Sequence, residues 1–364
     1  MFESLKILLV TSNFPPEVGG PAKFTSDFAS WLRGRDIDCL VITTTPETKA
    51  SKVNPTNLLS VSRNQSFLAR FLRTSFCMAR NGKGRNSLVN GLFYEALFAN
   101  FFLGFRFTAK VPSDIVWDRA RNKGRTNLSV DEYQGKERGF YILQRWLFVR
   151  SLKAAKRVIV PSKHLGKLVS DWGIKPEKIA MIRNSQNLPK NKPNLKAAFD
   201  VISVGRLIPL KGNSELISIC AKLGLSLRIL GEGPEELELK ALASRYGGLI
   251  EFLGPKTNAE VISQIHKSRV FVLNSSHEGS PNALIEAMAQ GAVCVVRSNP
   301  GTDELVEDLQ NGILVGKQRS LLEALQMAIY DEKLRERVSN GAFKFALNEL
   351  NQDINFKRIL TACE

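Results

Sequence analysis

Two carboxylates and two cations stand out by type and spacing in the second half of this sequence. The segment HEGSPNALIEAMAQG (277–291) carries Glu278 and Glu286 with seven residues between them, and VGRLIPLKG (204–212) carries Arg206 and Lys211. A guanidinium grips a phosphate through paired N–H donors and a lysine adds a point charge, so cations placed before a helix suit an anion. Ser280 is a favourable N-cap and Pro281 a favourable first helical residue, so a helix should run from there to Gly291. On it Leu284, Ile285 and Met288 make the apolar face, while Asn282 and Glu286 share the other side and point away from the core. Glu278 falls in the loop before that helix. Free N–H groups at a helix start, beside carboxylates, suit a polyhydroxylated ligand bearing phosphate. Taken singly, each stretch also fits a plainer alternative: a capped amphipathic helix with an exposed glutamate, and two solvated surface cations.

Glycine turns accompany these groups. In SNFPPEVGGPAKF (12–24), Gly19 and Gly20 lack side chains, so backbone N–H groups could approach a phosphate ahead of the next helix. Gly205 opens the VGRL turn, and GEGP (231–234), with Gly231 and Gly233, is a sharp turn able to admit a flat group near the backbone. Neither matches a GxGxxG pattern, and a glycine pair in a loop is commonly only a turn.

Hydrophobic periodicity supplies the elements that would position these residues. Ile7–Val10 and Cys39–Thr43 read as buried strands around a helix from Phe24 to Arg33. A strand at Leu88–Asn90, a helix at Tyr94–Leu103, a strand at Phe107–Val111 and a long helix ending near Ala155 follow, then strands at Val158–Val160 and Ala180–Ile182. The segment NSQNLPKNKPNLKA (184–197) breaks every period, as a linker would. Beyond it come strands at Val201–Val204, Leu227–Leu230, Ile250–Leu253, Val270–Asn274 and Val293–Arg297, alternating with helices that include Asn213–Lys222. The expectation is an α/β protein of two Rossmann-like, doubly wound domains facing across a cleft at the strands' carboxyl ends. The bounds are 1–185 and 199–350 with a linker at 186–198, and 351–364 is expected to pack back on the N-terminal domain.

Composition excludes several classes. A length of 364 residues exceeds one ordinary core. The five cysteines are scattered, with no CxxC and no Cys/His cluster, which fits buried reduced thiols better than disulfides or a zinc site. The start MFESLKILLVTSN lacks the basic opening and long apolar run of a secretory signal. The most apolar stretch, Leu88 to Phe107, is interrupted by Asn90, Glu95, Asn100 and Arg106; it is expected in a protein core rather than across a membrane. The formal charge of +16 is uneven: residues 1–190 hold 31 Lys+Arg against 14 Asp+Glu, and residues 191–364 hold 20 against 21. The basic half could face an anionic membrane, an acidic small molecule or nucleic acid, or be a solvated face of no special use.

In combination, the GG loop, VGRL…KG, GEGP and EGSPNALIEAMAQG resemble the retaining family-4 glycosyltransferases of GT-B fold, from the first strand to about Leu314. The resemblance implies a nucleotide-sugar donor, a UDP- or GDP-sugar, and transfer to an acceptor with retention of configuration, with no metal required and no cofactor beyond the donor. It implies that Arg206 and Lys211 neutralise the donor pyrophosphate and that Glu286 holds the ribose. Glu278, with the backbone of Gly279, Ser280, Pro281, Asn282 and Ala283, would meet the donor sugar. Gly20 would let the first loop approach the phosphates, and donor binding would bring the domains together.

One departure concerns the histidine that many such enzymes carry after the fourth N-domain strand. Here that region reads KVPSDIVWDRAR (110–121), with Ser113 or Asp114 in its place, and the chain's histidines are His164, His266 and His277, the last assigned no role. Asp114 becomes a candidate sugar or acceptor contact, with a simple N-cap as the alternative. The acceptor is expected to be a sugar, polysaccharide or lipid-linked glycan of cell-surface synthesis, reached from the cytoplasm, with peripheral contact to anionic membrane through the basic half. A soluble metabolite glycosyltransferase or sugar-nucleotide epimerase of the same fold is the alternative. A nucleic-acid-binding protein is the alternative from another class, against which no recognisable binding motif is present.

Overall fold

Short runs of valine, isoleucine and leucine flanked by glycine, asparagine or serine make strands here, and such continuous apolar runs belong to parallel sheets covered on both faces. The computed structural model describes residues 5–17, 19–46, 57–316 and 318–364. They form two units: Met1–Ile182 with Asp353–Glu364, and Arg183–Gln352.

Unit 1 runs β1 (Lys6–Thr11), α1 (Gly20–Arg33), β2 (Asp38–Thr45), β3 (Leu58–Ser62), α2 (Phe67–Gly82), β4 (Asn86–Asn90), α3 (Phe93–Leu103) and β5 (Thr108–Lys110). It continues through α4 (Ile115–Asn122), α5 (Val130–Tyr133), α6 (Phe140–Ala154), β6 (Val158–Val160), α7 (Lys163–Asp171) and β7 (Ile179–Met181). All pairs are parallel, in the order β3-β2-β1-β4-β5-β6-β7. Alternation along β1 sorts the core: Leu8 and Val10 face α2, α3, α4, α6 and α7, whereas Ile7 and Leu9 face α1.

Unit 2 runs β8 (Phe199–Val204), α8 (Asn213–Leu223), β9 (Leu227–Leu230), α9 (Glu236–Ala243), β10 (Ile250–Gly254), α10 (Asn258–His266) and β11 (Ser268–Leu273). Then come α11 (Asn282–Ala289), β12 (Cys294–Arg297), β13 (Ile313–Val315), α12 (Leu321–Tyr330) and α13 (Glu332–Glu349). Its parallel sheet has the order β10-β9-β8-β11-β12-β13. One face packs α8, α9 and α12, and the other α10, α11 and α13.

The final helix, α14 (Gln352–Cys363), belongs to unit 1. Its Phe356 sits with ring centroids 5.9, 4.9 and 5.8 Å from Phe24, Phe28 and Trp31 of α1. The Trp31 indole N–H donates to Asp353 at 2.8 Å, and Arg35 bonds the same carboxylate.

Three local expectations change. Helix α1 starts at Gly20 rather than Phe24, because Pro21 fits a first helical turn and Gly19 forms the N-cap. The stretch 88–107 holds the end of β4 and all of α3, yet it does not all enter the core: Phe101, Phe102 and Leu103 are 78%, 64% and 39% exposed. The division between units falls at Ile182/Arg183, ahead of the Pro/Asn/Lys-rich segment that reads as a linker. Among the described residues no helix is long and apolar enough to cross a membrane. Four of the five cysteines are buried, and burial pushes the thiols of Cys39, Cys220 and Cys363 up to about 12.

Phe356→Ala removes a ring that is 2% exposed and should cost about 3–5 kcal/mol. Urea denaturation checks this, with earlier proteolytic release of α14 as a second readout.

Candidate functional site

Unit 2 places its charged groups where its strand order reverses. The chain leaves β8 for β9 on one side, while β11 pairs with β8 on the other. Loops leaving neighbouring strands for opposite faces diverge and leave a crevice at the carboxyl ends, where ligands of such sheets bind. The two loops here are 205–212, with Arg206 and Lys211, and 274–281, with Glu278.

The structure brings Lys211 and Glu278 together, with Nζ 2.5 Å from Oε1 and side chains 22% and 12% exposed. The backbone beneath them is fixed by residues that sequence reasoning missed. Asn274 Nδ2 donates to the Gly212 carbonyl (2.9 Å) and to Glu215 (3.0 Å), while Arg297 donates to Asn274 Oδ1 (2.8 Å) and Glu215 (2.6 Å). The Ser276 N–H donates to the Leu210 carbonyl at 2.8 Å, joining the two loops directly. No spacing rule identifies such an asparagine, because its partners lie 23, 59 and 62 residues away in the chain. Arg206 is exposed, and among the described residues its side chain has no hydrogen bond or ion pair.

The glycine turns serve backbone contact. A Cβ on Gly231 would lie 2.0 Å from the Gly205 carbonyl oxygen, and one on Gly233 would lie 2.3 Å from that of Leu207. The Leu207 N–H donates to the Glu232 carbonyl at 2.9 Å. GEGP thus admits the chain's own 205–207 backbone, where the sequence suggested room for a flat group. Gly301, unforeseen, does the same beneath the acidic loop: its Cβ would lie 2.0 Å from the Glu278 carbonyl oxygen.

Helix α11 begins one residue later than expected. Pro281, not Ser280, is the N-cap residue, it makes no side-chain cap bond, and Gly291 follows the helix at φ +67°. Glu286 also differs from expectation: it is only 8% exposed, and it accepts from Asn258 Nδ2 at 2.7 Å. The 3.6-residue period sets it on the side opposite Leu284 and Ile285, but α10 packs against α11 and brings Asn258 to it. Asn282 stays exposed and accepts from Asn184 at 3.2 Å.

Unit 1 has its own order reversal, between β1 and β4, and the loop after β1 ends at Gly19, with φ 152°. That loop is anchored by Arg63, which donates to Glu17 (2.6 and 2.9 Å), to Thr44 Oγ1 (2.9 Å) and to the Ser12 carbonyl (2.5 Å). On the same edge Asp114 caps α4. Oδ1 accepts from the N–H groups of Val116 (3.0 Å) and Trp117 (3.1 Å), and Oδ2 from Gln134 (3.0 Å) and Arg145 (2.6 Å). Its side chain is 0% exposed. The structure therefore gives Asp114 the occupation of a cap and ion-pair partner, and four donors leave its oxygens no room for a sugar.

Two neighbours were not singled out by sequence. Burial pushes the Asp118 carboxyl up to about 6, with Asp114 adding to the rise and a hydrogen bond from the Ser113 hydroxyl opposing it. Burial likewise brings the Lys110 ammonium down to about 8, where it lies 4.3 Å from the centre of the Phe24 ring. The only available signal was the Asp114–Asp118 spacing of one helical turn.

Comparison with known proteins adds the following. Residues 184–345 match the family model described as glycosyl transferases group 1. The lipopolysaccharide core biosynthesis glycosyltransferase LpsE of Rhizobium meliloti is 28% identical over 208 residues, 54% of this chain and 60% of the relative. The putative colanic acid biosynthesis glycosyltransferase WcaL of Salmonella typhimurium is 33% identical over 207 residues, 51% of each chain. The chain thus spans between half and three fifths of these curated relatives. Among solved structures, Anabaena Alr3699/HepE in complex with UDP and glucose superposes with a TM-score of 0.77 at 17% identity, covering 98% of both chains. Sucrose-phosphate synthase from Thermosynechococcus elongatus gives 0.78 at 17% identity, again covering 98% of both. The fold is that of the GT-B glycosyltransferases.

Two expectations follow from this geometry. Gly233→Ala forces the 205–207 backbone away and should destabilise the protein by about 2 kcal/mol or more, measured by urea denaturation. Asp118 is protonated in the folded state at pH values where the unfolded chain has already ionised it. Its stabilising contribution is therefore present below its ordinary value of 3.8 and is lost as pH rises through about 6. Urea denaturation across that window should show Asp118→Asn gaining about 3 kcal/mol on the wild type towards neutral pH.

Proposed function

We propose, on the premise that residues 184–345 belong to the group 1 glycosyl transferases, that this chain moves a sugar from a nucleoside diphosphate sugar to an acceptor hydroxyl with retention of configuration. The observation that carries the reading is the meeting of the Arg206/Lys211 turn with the Glu278 loop at the strand-order reversal of unit 2. Breaking the bond between the sugar C1 and the phosphate oxygen leaves a nucleoside diphosphate with one further negative charge. Two cations on a fixed turn stabilise that charge as it develops. The new bond joins C1 to the acceptor oxygen, whose proton passes to the departing phosphate.

Lys211 has three N–H donors, so it can keep Glu278 while bonding a phosphate. The pair then acts as a hinge between the leaving group and the donor sugar. Glu278 would bond the sugar hydroxyls together with the backbone of Gly279 to Ala283. Glu286, its orientation set by Asn258, would hold the ribose. Arg206, exposed and without other partners among the described residues, is the cation that a phosphate would engage first. The relatives named for lipopolysaccharide core and colanic acid synthesis support a cell-surface glycan, free or lipid-linked, as the acceptor. The UDP in the Anabaena structure supports a uridine donor.

A thermal-shift panel of UDP-, GDP- and ADP-sugars should show one base raising the melting temperature. No stabilisation by any of them would end the donor reading. Arg206→Ala should lower turnover about 100-fold or more while circular dichroism stays unchanged, whereas undiminished activity would remove the phosphate role.

A further inference from the structure

The α2–α3 side of unit 1 exposes a set of large apolar side chains that the core does not use. On α2, Phe67, Leu68, Leu72 and Phe76 are 67%, 64%, 43% and 58% exposed. At the end of α3, Phe101, Phe102 and Leu103 join them. The rings form one array across both helices: centroids of Phe67 and Phe71 lie 6.1 Å apart, Phe71 and Phe98 5.5 Å, Phe98 and Phe102 4.7 Å, and Phe102 and Phe101 4.9 Å. Isolated exposed apolar residues need no explanation, but a contiguous patch marks an interaction surface.

Charge says what covers it. From Arg63 to Tyr94 the sequence has six Lys+Arg and no Asp or Glu. Arg73 and Arg80 are exposed on α2 itself, and the Arg70 guanidinium lies 5.6 Å from the Phe67 ring centre. Where α2 and α3 end, a cavity of about 590 Å³ is lined by Lys6, Lys83, Arg85, Arg106 and Lys156, with Leu103 in its wall. Arg85 is paired with Asp38 and Lys156 with the Glu364 carbonyl. Lys6, Lys83 and Arg106 make no side-chain hydrogen bond or ion pair among the described residues.

We infer that this face docks on an anionic lipid bilayer, the aromatic array entering the headgroup–acyl boundary and the cation-lined cavity taking a lipid phosphate. The charge around the rings is of one sign, with no Asp or Glu between Arg63 and Tyr94, which complements an anionic surface. Long cationic side chains at a bilayer lay their stems on apolar surface and place their heads at the phosphates. A second copy of the same face would bring like charges together. The inference rests on unit 1 alone and does not depend on the donor reading.

Sedimentation of the full chain with vesicles tests it. The wild type should bind mixed phosphatidylglycerol–phosphatidylcholine vesicles at low salt and bind pure phosphatidylcholine far less. Phe101→Asp with Phe102→Asp, and separately Lys83→Glu with Arg106→Glu, should each weaken anionic-vesicle binding about tenfold. Arg245→Glu, an exposed site of unit 2, should leave it unchanged. Circular dichroism melts identical to wild type establish that both double variants are folded. Equal binding to neutral vesicles, or undiminished binding by the folded variants, overturns the inference. So does dimerisation in light scattering that Phe101→Asp abolishes, in a chain that ignores vesicles.

Discussion

Everything at the unit 2 site depends on the position of β8 in its sheet. Because β8 lies between β9 and β11, the chain after it turns to one face and the chain after β11 turns to the other. The two loops set out toward opposite faces, and the Ser276–Leu210 and Lys211–Glu278 bonds tie them together at the crevice. The buried strand pattern beneath is what holds this arrangement. A slip of one residue along β8 would exchange its two apolar faces and aim Arg206 elsewhere.

The strand–helix grammar was largely legible because parallel strands are short apolar runs with sharp ends. Leu227–Leu230 and Val158–Val160 appear in the structure with the limits that the pattern implies. The reading failed where tertiary packing overrides local periodicity. Glu286 shares a helix side with Asn282, as spacing requires, yet it is buried against Asn258 of α10 while Asn282 stays in solvent. Helix α2 escaped notice for a related reason: its exposed side mixes Phe67, Leu68, Leu72 and Phe76 with Arg73 and Arg80, while Thr74 and Ser75 are buried, so residue type does not mark its core face. Asp114 and the GEGP glycines were visible as special positions, but sequence could not say that their partners are the protein's own groups.

The charge asymmetry likewise needs the structure to be understood. Arg63 holds the loop after β1, Arg85 pairs with Asp38, and Arg145 lies between Asp114 and Glu137 with its guanidinium 4.6 Å from the Trp172 ring centre. A share of the excess in residues 1–190 is therefore internal scaffolding. The outward remainder includes Lys6, Lys83 and Arg106 in the wall of the cavity beside Leu103.

The return of α14 to unit 1 bears on the order in which the protein can be made. Phe356, Ile359 and Leu360 complete the core layer begun by Phe28 and Leu32, yet they follow all of unit 2 in the chain. During synthesis, unit 1 must wait with the α14-facing side of α1 exposed while about 170 residues of unit 2 emerge. Unit 2 has no such debt, since Arg183–Gln352 is continuous. The half of the protein translated first is thus the half that finishes last, and a ribosome stalled within unit 2 would leave an apolar face uncovered.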